Sequence, residues 1–384
     1  MRVIVIGAGI AGLSAAIALR KVGIDVTVYE RAPSLREVGA GIGLWANACR
    51  ALDYLGAGDA VRQRSLRMSR SEMRTHEGRR IVMTMDGDAL ARQFALPELL
   101  RMAHRADLIE ALVSYVPQTS LQFGYECVGV DHIESRPRVR FAHGEGDEAD
   151  VVLGADGIHS VVRNAFLPPE QPRYAGYTCW RGVCPRPSGV EPGYMSEWWG
   201  RGKRLGIVSL PNDRLYWFAV ENAPPHTHVV NNRAHLLRAF TTWSEPAHTI
   251  LETTPDEGII HNDIIDRPPQ KIWSSGRVGL IGDAAHPTTP NLGQGGCLAI
   301  EDAVVLARHL ASDADPALLL QAFTAERASR TAAIVNESWT GGRVAQAEGR
   351  VTCAIRDLSV GVLSKVISPS AFLRHARFDV GPLA

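Results

Sequence analysis

Three glycines near the start of the chain have the spacing that binds a dinucleotide. Gly7, Gly9 and Gly12 follow an apolar run at residues 3–6 and precede an alanine- and leucine-rich stretch. In such a strand–turn–helix unit, the glycines give a tight turn, let the backbone approach a pyrophosphate and allow the helix to pack closely on the strand. Glu30, at the end of the next apolar run, is placed to accept hydrogen bonds from a ribose diol. The pattern predicts a dinucleotide site.

Two further clusters of glycine and acid stand later in the chain, each directly after a short apolar run. One spans residues 154–163 and contains Asp156, and we expect it to follow a strand and to begin a helix. The other spans 282–287, contains Asp283 and precedes a glycine-rich stretch at 293–296. Either cluster alone also fits a turn at a strand end with an acidic helix cap. All three clusters in this order are much harder to obtain by accident.

Taken together, the clusters resemble the motifs of the class A flavoprotein monooxygenases, the single-component aromatic hydroxylase family. The resemblance covers nearly the whole chain and extends to p-hydroxybenzoate and salicylate hydroxylases, with a bacterial branch that includes FAD-dependent urate hydroxylase as the nearest group. It implies bound FAD, a transient NADH or NADPH co-substrate and O₂. It also implies hydroxylation of a small aromatic or heteroaromatic ring through a flavin C4a-hydroperoxide.

The resemblance assigns roles to individual positions. Glycines before the helix predicted at 297–310 would leave backbone N–H groups free to stabilise the negative charge of reduced flavin. Pro290 matches a residue beside the isoalloxazine ring, although it also fits a merely stiff loop. Val128 would lie near the adenine and Asp283 near the ribityl chain. The implied cofactor-binding residues are Gly7, Gly9, Gly12, Glu30, Arg31, Arg105, Val128, Asp156, Asp283, Gly293, Gly295 and Gly296.

Arg204 and Tyr216 are the candidate residues for the substrate. They stand in neighbouring predicted strands joined by a turn at 211–213, so both can face one pocket. A guanidinium suits a carboxylate or enolate, and a phenol can hydrogen-bond a ring oxygen and help its deprotonation. Their spacing resembles that of the branch with urate hydroxylases. The alternative is a surface arginine and a tyrosine that packs in the sheet.

Other polar and aromatic residues admit two interpretations. His286, close to Asp283, is either a general base or a loop residue that packs on the flavin. A group with large side chains either lines the pocket or fills the core of the sheet, and packing is the preferred interpretation for Trp180, Arg181, Trp198 and Trp199.

The sequence has no second strand–GxGxxG–helix unit, because Gly200 and Gly202 stand in a basic turn. This disfavours reductases with two nucleotide domains. Two alternatives stay open: an FAD-dependent oxidase or dehydrogenase, and a flavin-binding protein without turnover. A halogenase is disfavoured because its Trp-x-Trp-x-Ile-Pro signature is missing.

We therefore expect an α/β protein with a Rossmann-like FAD-binding domain built from discontinuous segments. A mostly antiparallel β-sheet substrate domain and C-terminal helices complete the expected fold. The FAD-binding domain is predicted at 1–70, 98–172 and 270–345, the substrate domain at 71–97 and 173–269, and a helical tail at 346–384.

Composition excludes several other classes of protein. The 384 residues are 45% hydrophobic, and 41 basic residues balance 41 acidic ones, so nucleic acid is an unexpected partner. The six cysteines form no CxxC pair, which argues against a zinc site and a disulfide framework. No signal peptide or apolar run long enough to span a bilayer is expected. We predict a cytoplasmic monomer or homodimer without membrane contact.

Overall fold

The structure, a computed structural model, describes residues 1–35, 40–78, 80–366, 370 and 373–383. The strands are β1 (Arg2–Ile6), β2 (Asp25–Glu30), β3 (Gly41–Trp45), β4 (Ser65–Arg67), β5 (Arg70–Thr75), β6 (Ile81–Asp86), β7 (Leu100–His104), β8 (Leu121–Phe123), β9 (Cys127–Asp131), β10 (Arg138–Phe141), β11 (Asp147–Glu148), β12 (Val151–Gly154), β13 (Arg173–Pro185), β14 (Tyr194–Trp199), β15 (Lys203–Ser209), β16 (Arg214–Asn222), β17 (Ile260–Asp266), β18 (Ser274–Ser275) and β19 (Val278–Leu280). The helices are α1 (Ile10–Lys21), α2 (Ala46–Leu55), α3 (Gly58–Gln63), α4 (Gly87–Gln93), α5 (Arg105–Val113), α6 (Asn232–Ala239), α7 (Ala247–Thr253), α8 (Gly295–Leu310), α9 (Pro316–Ala345) and α10 (Arg350–Val366).

A six-stranded sheet in the order β18-β19-β12-β1-β2-β8 carries the nucleotide-binding motifs. Its strands are parallel except for β18. The short apolar runs of β1, β12 and β19 are buried almost completely, as expected for parallel strands that are covered on both faces. Helices α1 and α8 pack against each other beside this sheet. The predicted Rossmann-like fold is confirmed.

A seven-stranded sheet in the order β17-β13-β16-β15-β14-β5-β6 forms the second part of the fold. Its neighbouring strands are antiparallel except for β14 and β5, so the predicted mostly antiparallel sheet is also confirmed. Side chains alternate between the two faces of such a sheet. One face buries Trp180 and Trp217 against α6 and α7, and the other face turns toward α8. The strand bounds define the two sheets but do not define where one domain ends and the other begins. The predicted domain bounds therefore stay a prediction.

The C-terminal part of the chain is helical, as predicted. Helix α9 spans Pro316–Ala345, and α10 contacts β6 of the large sheet. Helix α10 exposes apolar side chains at Val351, Ile355, Leu358 and Val362. The rest of the predicted tail is described at 346–349, 370 and 373–383. In the described part of the chain, no helix combines the length and apolar character needed to cross a membrane.

Candidate active site

The three clusters of glycine and acid meet because they follow three neighbouring parallel strands. β1 pairs with β12, and β12 pairs with β19, so the loops after these strands leave the same edge of the sheet. The backbone N–H of Ala155 donates to Ile6 O at 2.8 Å, and that of Ile281 donates to Gly154 O at 3.0 Å. Ligands of open parallel sheets bind at such an edge.

Packing explains two of the first three glycines, and open space explains the third. A Cβ on Gly7 would lie 2.5 Å from Ala155 O, and Gly7 also has a φ of +105°. A Cβ on Gly12 would lie 1.9 Å from Gly7 O. A Cβ on Gly9 would meet no protein atom within 4 Å. Gly9 therefore leaves room beside the backbone, as an approaching pyrophosphate requires.

Glu30 holds the first loop through its carboxylate. Its two oxygens accept hydrogen bonds from the backbone N–H groups of Ala8 and Ala32, each at 2.9 Å. Arg31 beside it is exposed, and Val128 on β9 is exposed at 44%. These three residues stand outside the lining of the cleft described below. Their contacts with a cofactor stay predictions.

Asp156 closes the turn after β12. Its Oδ2 accepts hydrogen bonds from the N–H groups of Val161 at 2.7 Å and Val162 at 3.2 Å. Its Oδ1 is buried, and no residue that the structure describes gives it a hydrogen-bond partner. Burial raises the pKa of Asp156, although these bonds oppose the shift. The helix expected after this cluster is a short 3₁₀ helix at Val162–Ala165. The prolines after Leu167 disfavour a longer helix.

The loop after β19 and the start of α8 form one side of the cleft. Asp283 faces the cleft together with Arg105. Desolvation of its carboxylate by the surrounding protein raises the pKa of Asp283, while His286 and Arg105 oppose that shift. Gly293 has a φ of +60°, and α8 begins at Gly295 without a side-chain cap. The first N–H groups of α8 are thus free to bind negative charge in the cleft.

A buried ion network that the sequence analysis missed holds α8 in place. Asp302 on α8 accepts from Arg327 Nε at 2.8 Å and from the N–H of Gly282 at 3.0 Å, and it contacts His286 Nε2 at 2.5 Å. The adjacent Glu301 pairs with Arg327 NH2 at 2.7 Å. His286 therefore belongs to the support of the loop and not to the lining of the cleft. Glu301 and Asp302, two adjacent acids in an otherwise apolar helix, were the sequence feature that indicated such a network.

This network predicts a specific loss of stability in acid. Burial alone would raise the pKa of Asp302, but His286 and Arg327 lower it to about 2, from an ordinary value of 3.8. A lowered pKa in the folded state means that the stabilisation is present above pH ~4 and is lost as the pH falls toward ~2. The difference corresponds to about 2 kcal/mol.

Urea unfolding at several pH values tests this expectation. Between pH ~5 and ~3, the Asp302→Asn variant should lose about 1 kcal/mol less stability than the unsubstituted protein, because it lacks this titration. Equal losses in both proteins would contradict a lowered pKa at Asp302.

The large sheet supplies the other side of the cleft. Val208 pairs with Tyr216, and Arg204 pairs with Val220, so the side chains of Arg204 and Tyr216 lie on the same face of the sheet. Both residues line a cleft of about 440 Å³. The predicted site residues that line this cleft are Gly9, Arg105, Arg204, Tyr216, Asp283, Pro290, Gly293, Gly295 and Gly296.

Arg204 is buried and tied to its neighbours. Its Nε donates to Gln346 Oε1 at 2.8 Å, its NH2 to Asn291 Oδ1 at 2.9 Å and its NH1 to Glu197 Oε1 at 3.2 Å. Asn291 also donates to the Tyr177 hydroxyl at 2.9 Å. Gln346 and Asn291 stand in distant segments of the chain, so local sequence patterns did not reveal their contacts with Arg204. Arg204 is therefore not the surface arginine of the alternative interpretation.

Tyr216 is buried where the large sheet meets a three-stranded sheet in the order β3-β7-β4. A Cβ on Gly41 of β3 would lie 2.5 Å from the Tyr216 ring, so the ring packs directly on the backbone there. Burial raises the pKa of the Tyr216 phenol, and the nearby Arg181 opposes this shift. At neutral pH the hydroxyl stays protonated and is able to donate a hydrogen bond.

Trp180 and Trp198 pack in the core of the sheet as expected, while Arg181 does not. Trp180 and Trp198 are buried on the face of the sheet opposite the cleft, and Trp180 stacks on His261 with the ring centres 4.2 Å apart. Trp199 contacts the Arg356 guanidinium. Arg181 is the member of the group that lines the cleft. The preference for packing is wrong for this residue, because alternation along β13 turns it to the other face.

These features fit a bound FAD. The N-termini of α1 and α8 both open into the cleft, and neither has a side-chain cap. The two helix ends can therefore receive the pyrophosphate and the electron-rich end of the flavin ring. The space beside Gly9 is open, and apolar side chains including Ile42, Leu100 and Val208 line the remainder of the cleft.

Comparisons with known proteins agree with this assignment. The family described as FAD binding domain matches residues 1–338. Aurachin C monooxygenase/isomerase of Stigmatella aurantiaca is 38% identical over 365 residues, covering 95% of this chain and 94% of the relative. FAD-dependent urate hydroxylase of Mycolicibacterium vanbaalenii is 34% identical over 87% of this chain and 86% of the relative. The structure of Klebsiella pneumoniae HpxO complexed with FAD and uric acid matches with a TM-score of 0.90 and 28% identity, over 100% of this chain and 98% of that chain.

Proposed function

The chain belongs to the FAD binding domain family and is an FAD-dependent monooxygenase of the aromatic hydroxylase type, and from this premise we propose that it hydroxylates a small heteroaromatic ring that carries an oxygen substituent. The predictions of family, fold class, cofactor and activity are confirmed. The roles of individual residues and the identity of the ring belong to the proposal. One relative is named for urate and another for aurachin C.

The observation that carries the proposal is the position of Arg204 and Tyr216 opposite the start of α8 in one cleft. A ring bound there contacts hydrogen-bond donors on one side and the flavin position on the other. When bound, FAD takes electrons from NADH or NADPH and activates O₂. Arg204, fixed by its neighbours, and Tyr216 orient the ring by donating to its oxygen atoms. Pro290 and the apolar wall of the cleft exclude water from the reacting atoms.

All six cysteines are free thiols, and every one is buried. Free thiols are usual in a reducing compartment, so we place the enzyme in the cytoplasm.

A panel of rings tests the activity. The panel contains urate, salicylate, hydroxybenzoates, hydroxynicotinate and quinolones, each added to the FAD-loaded enzyme with NADH or NADPH. We expect at least one ring to accelerate oxidation of the nicotinamide about tenfold or more and to gain one oxygen atom from isotopically labelled O₂. Oxidation that yields only H₂O₂ with every ring would favour an oxidase, and no reaction at all would favour a flavin-binding protein without turnover.

Tyr216→Phe tests the role of the phenol. Because the ring keeps its packing on Gly41 and loses only the hydroxyl, we expect kcat for the best ring to fall about tenfold or more while FAD binding stays unchanged. Tyr174→Phe is the matched control: its hydroxyl donates to Ala223 O at 2.6 Å in the same sheet but away from the cleft. Unchanged turnover in Tyr216→Phe would remove the phenol from the reaction.

A further inference from the structure

Two of the three arginines that line the cleft, Arg181 and Arg204, lie on the large sheet, and their charges have different surroundings. The guanidinium of Arg204 lies 3.2 Å from the carboxylate of Glu197, and two amide oxygens accept its other bonds. Its positive charge is therefore balanced within the protein. Arg204 can therefore donate a hydrogen bond to a substrate but contributes little net positive charge to the cleft.

Arg181 has no such balance. Among the residues that the structure describes, no carboxylate lies within 4.0 Å of its side-chain nitrogens. Other arginines of the chain, such as Arg173 and Arg327, each form an ion pair with a carboxylate. Its polar neighbours are the Tyr216 phenol and the Cys179 thiol. Burial raises the pKa of both groups, so both are neutral near pH ~7. The guanidinium is thus a cation among neutral groups.

The register of the sheet directs this cation into the cleft. Arg181 on β13 pairs with Phe218 on β16, and Val183 pairs with Tyr216 two positions away. Paired residues of antiparallel strands share a face, so Arg181 stands on the same face as Tyr216. Both residues line the cleft. A positive charge in a mostly apolar enclosure without a counter-ion is unfavourable unless an anion binds there.

We propose that Arg181 binds the ring oxyanion of the substrate, a phenolate or enolate, and so holds the ring in its electron-rich form. The inference rests on the proposed function, because it names the class of ring that the same cleft takes. On binding, the O–H bond of the ring hydroxyl breaks and the proton leaves to solvent. The oxygen keeps the electron pair, which the Arg181 cation stabilises while the Tyr216 hydroxyl donates a hydrogen bond to it.

A chromophoric phenol tests this inference independently of turnover. 4-Nitrophenol is titrated with the FAD-loaded enzyme, and the absorbance of its phenolate reports the ionisation of the bound probe. We expect binding to the unsubstituted enzyme to lower the pKa of the probe by about one unit, which means about tenfold preference for the phenolate. 4-Nitroanisole, which cannot ionise, measures the binding of the same ring without a charge.

Variants separate the charge of Arg181 from its packing. Arg181→Gln should abolish the pKa shift of the probe while it binds 4-nitroanisole as before, and Arg181→Lys should keep most of the shift. Arg233→Gln removes one exposed charge outside the cleft and should behave as the unsubstituted enzyme does.

Three results would overturn the inference. These are no shift in the unsubstituted enzyme, an equal shift in Arg181→Gln, and an equal weakening of phenol and ether by that substitution. Because the probe reports ionisation without hydroxylation, failure of the proposed activity in the ring panel and failure of this inference give different results.

Discussion

The Gly9→Val variant is expected to fold and to lose FAD. Its backbone dihedrals, φ −78° and ψ −172°, suit any residue, and an added Cβ meets no protein atom within 4 Å. The new side chain instead fills the space beside the first N–H groups of α1, which a pyrophosphate must approach closely. The variant should lose about two hydrogen bonds from these N–H groups to the charged pyrophosphate. This loss should weaken FAD binding about a hundredfold or more.

The measurement compares flavin retained after gel filtration, the dissociation constant of FAD and the melting temperature of the apoprotein. Gly341→Val is the matched control, because a Cβ on this glycine of α9 also meets no atom within 4 Å and the residue lies outside the cleft. We expect the control to keep FAD and both apoproteins to melt near the unsubstituted one. Full FAD occupancy in Gly9→Val would show that the cofactor does not pass this loop.

The sequence predicted the arrangement of the motifs because one physical rule connects them. A glycine turn after a buried parallel strand must lie at the carboxyl edge of the sheet, so the loops after β1, β12 and β19 had to come together once these strands were recognised. Arg204 and Tyr216 were likewise predictable as partners, because a tight turn joins their strands and fixes which face each side chain takes.

The sequence did not predict contacts that depend on distant segments. Gln346, which accepts a hydrogen bond from Arg204, stands 142 residues away in the sequence, and no local sequence pattern predicts such a contact. The length of the helix after Asp156 was also not predictable from the sequence. An acid after a strand often caps a helix, but here its carboxylate closes a turn that ends in a 3₁₀ helix of four residues. Arg181 was assigned to packing together with Trp180, although adjacent residues of one strand must face opposite sides.

The buried ion network connects stability to cofactor binding. Asp302 is bonded both to Arg327 of α9 and to the N–H of Gly282, the residue before Asp283. Movement of α8 therefore displaces two parts of the cofactor site together, the Gly282–Asp283 turn and the uncapped N-terminus at Gly295. The network acts on FAD by positioning these groups, since its charged side chains are not part of the described cleft lining.

Arg327→Met is expected to be the most destabilising of the substitutions considered. Arg327 is 1% exposed and pairs with both Glu301 and Asp302, so its loss leaves two carboxylates short of a buried counter-charge. Arg330 still compensates Glu301, and His286 still contacts Asp302, which limits the damage. We expect the free energy of unfolding to fall by about 4 kcal/mol.

Urea unfolding of the apoprotein, together with FAD titration, measures both consequences. Arg343→Met is the matched control on the same helix, because Arg343 is exposed and its loss should change stability by no more than about 0.5 kcal/mol. The Arg327 variant should also bind FAD more weakly than the control, since the start of α8 and the Gly282 turn lose their common anchor. A stability within about 1 kcal/mol of the unsubstituted protein would mean that the two carboxylates find other partners or take up protons, and FAD affinity would then distinguish a repacked site from an intact one.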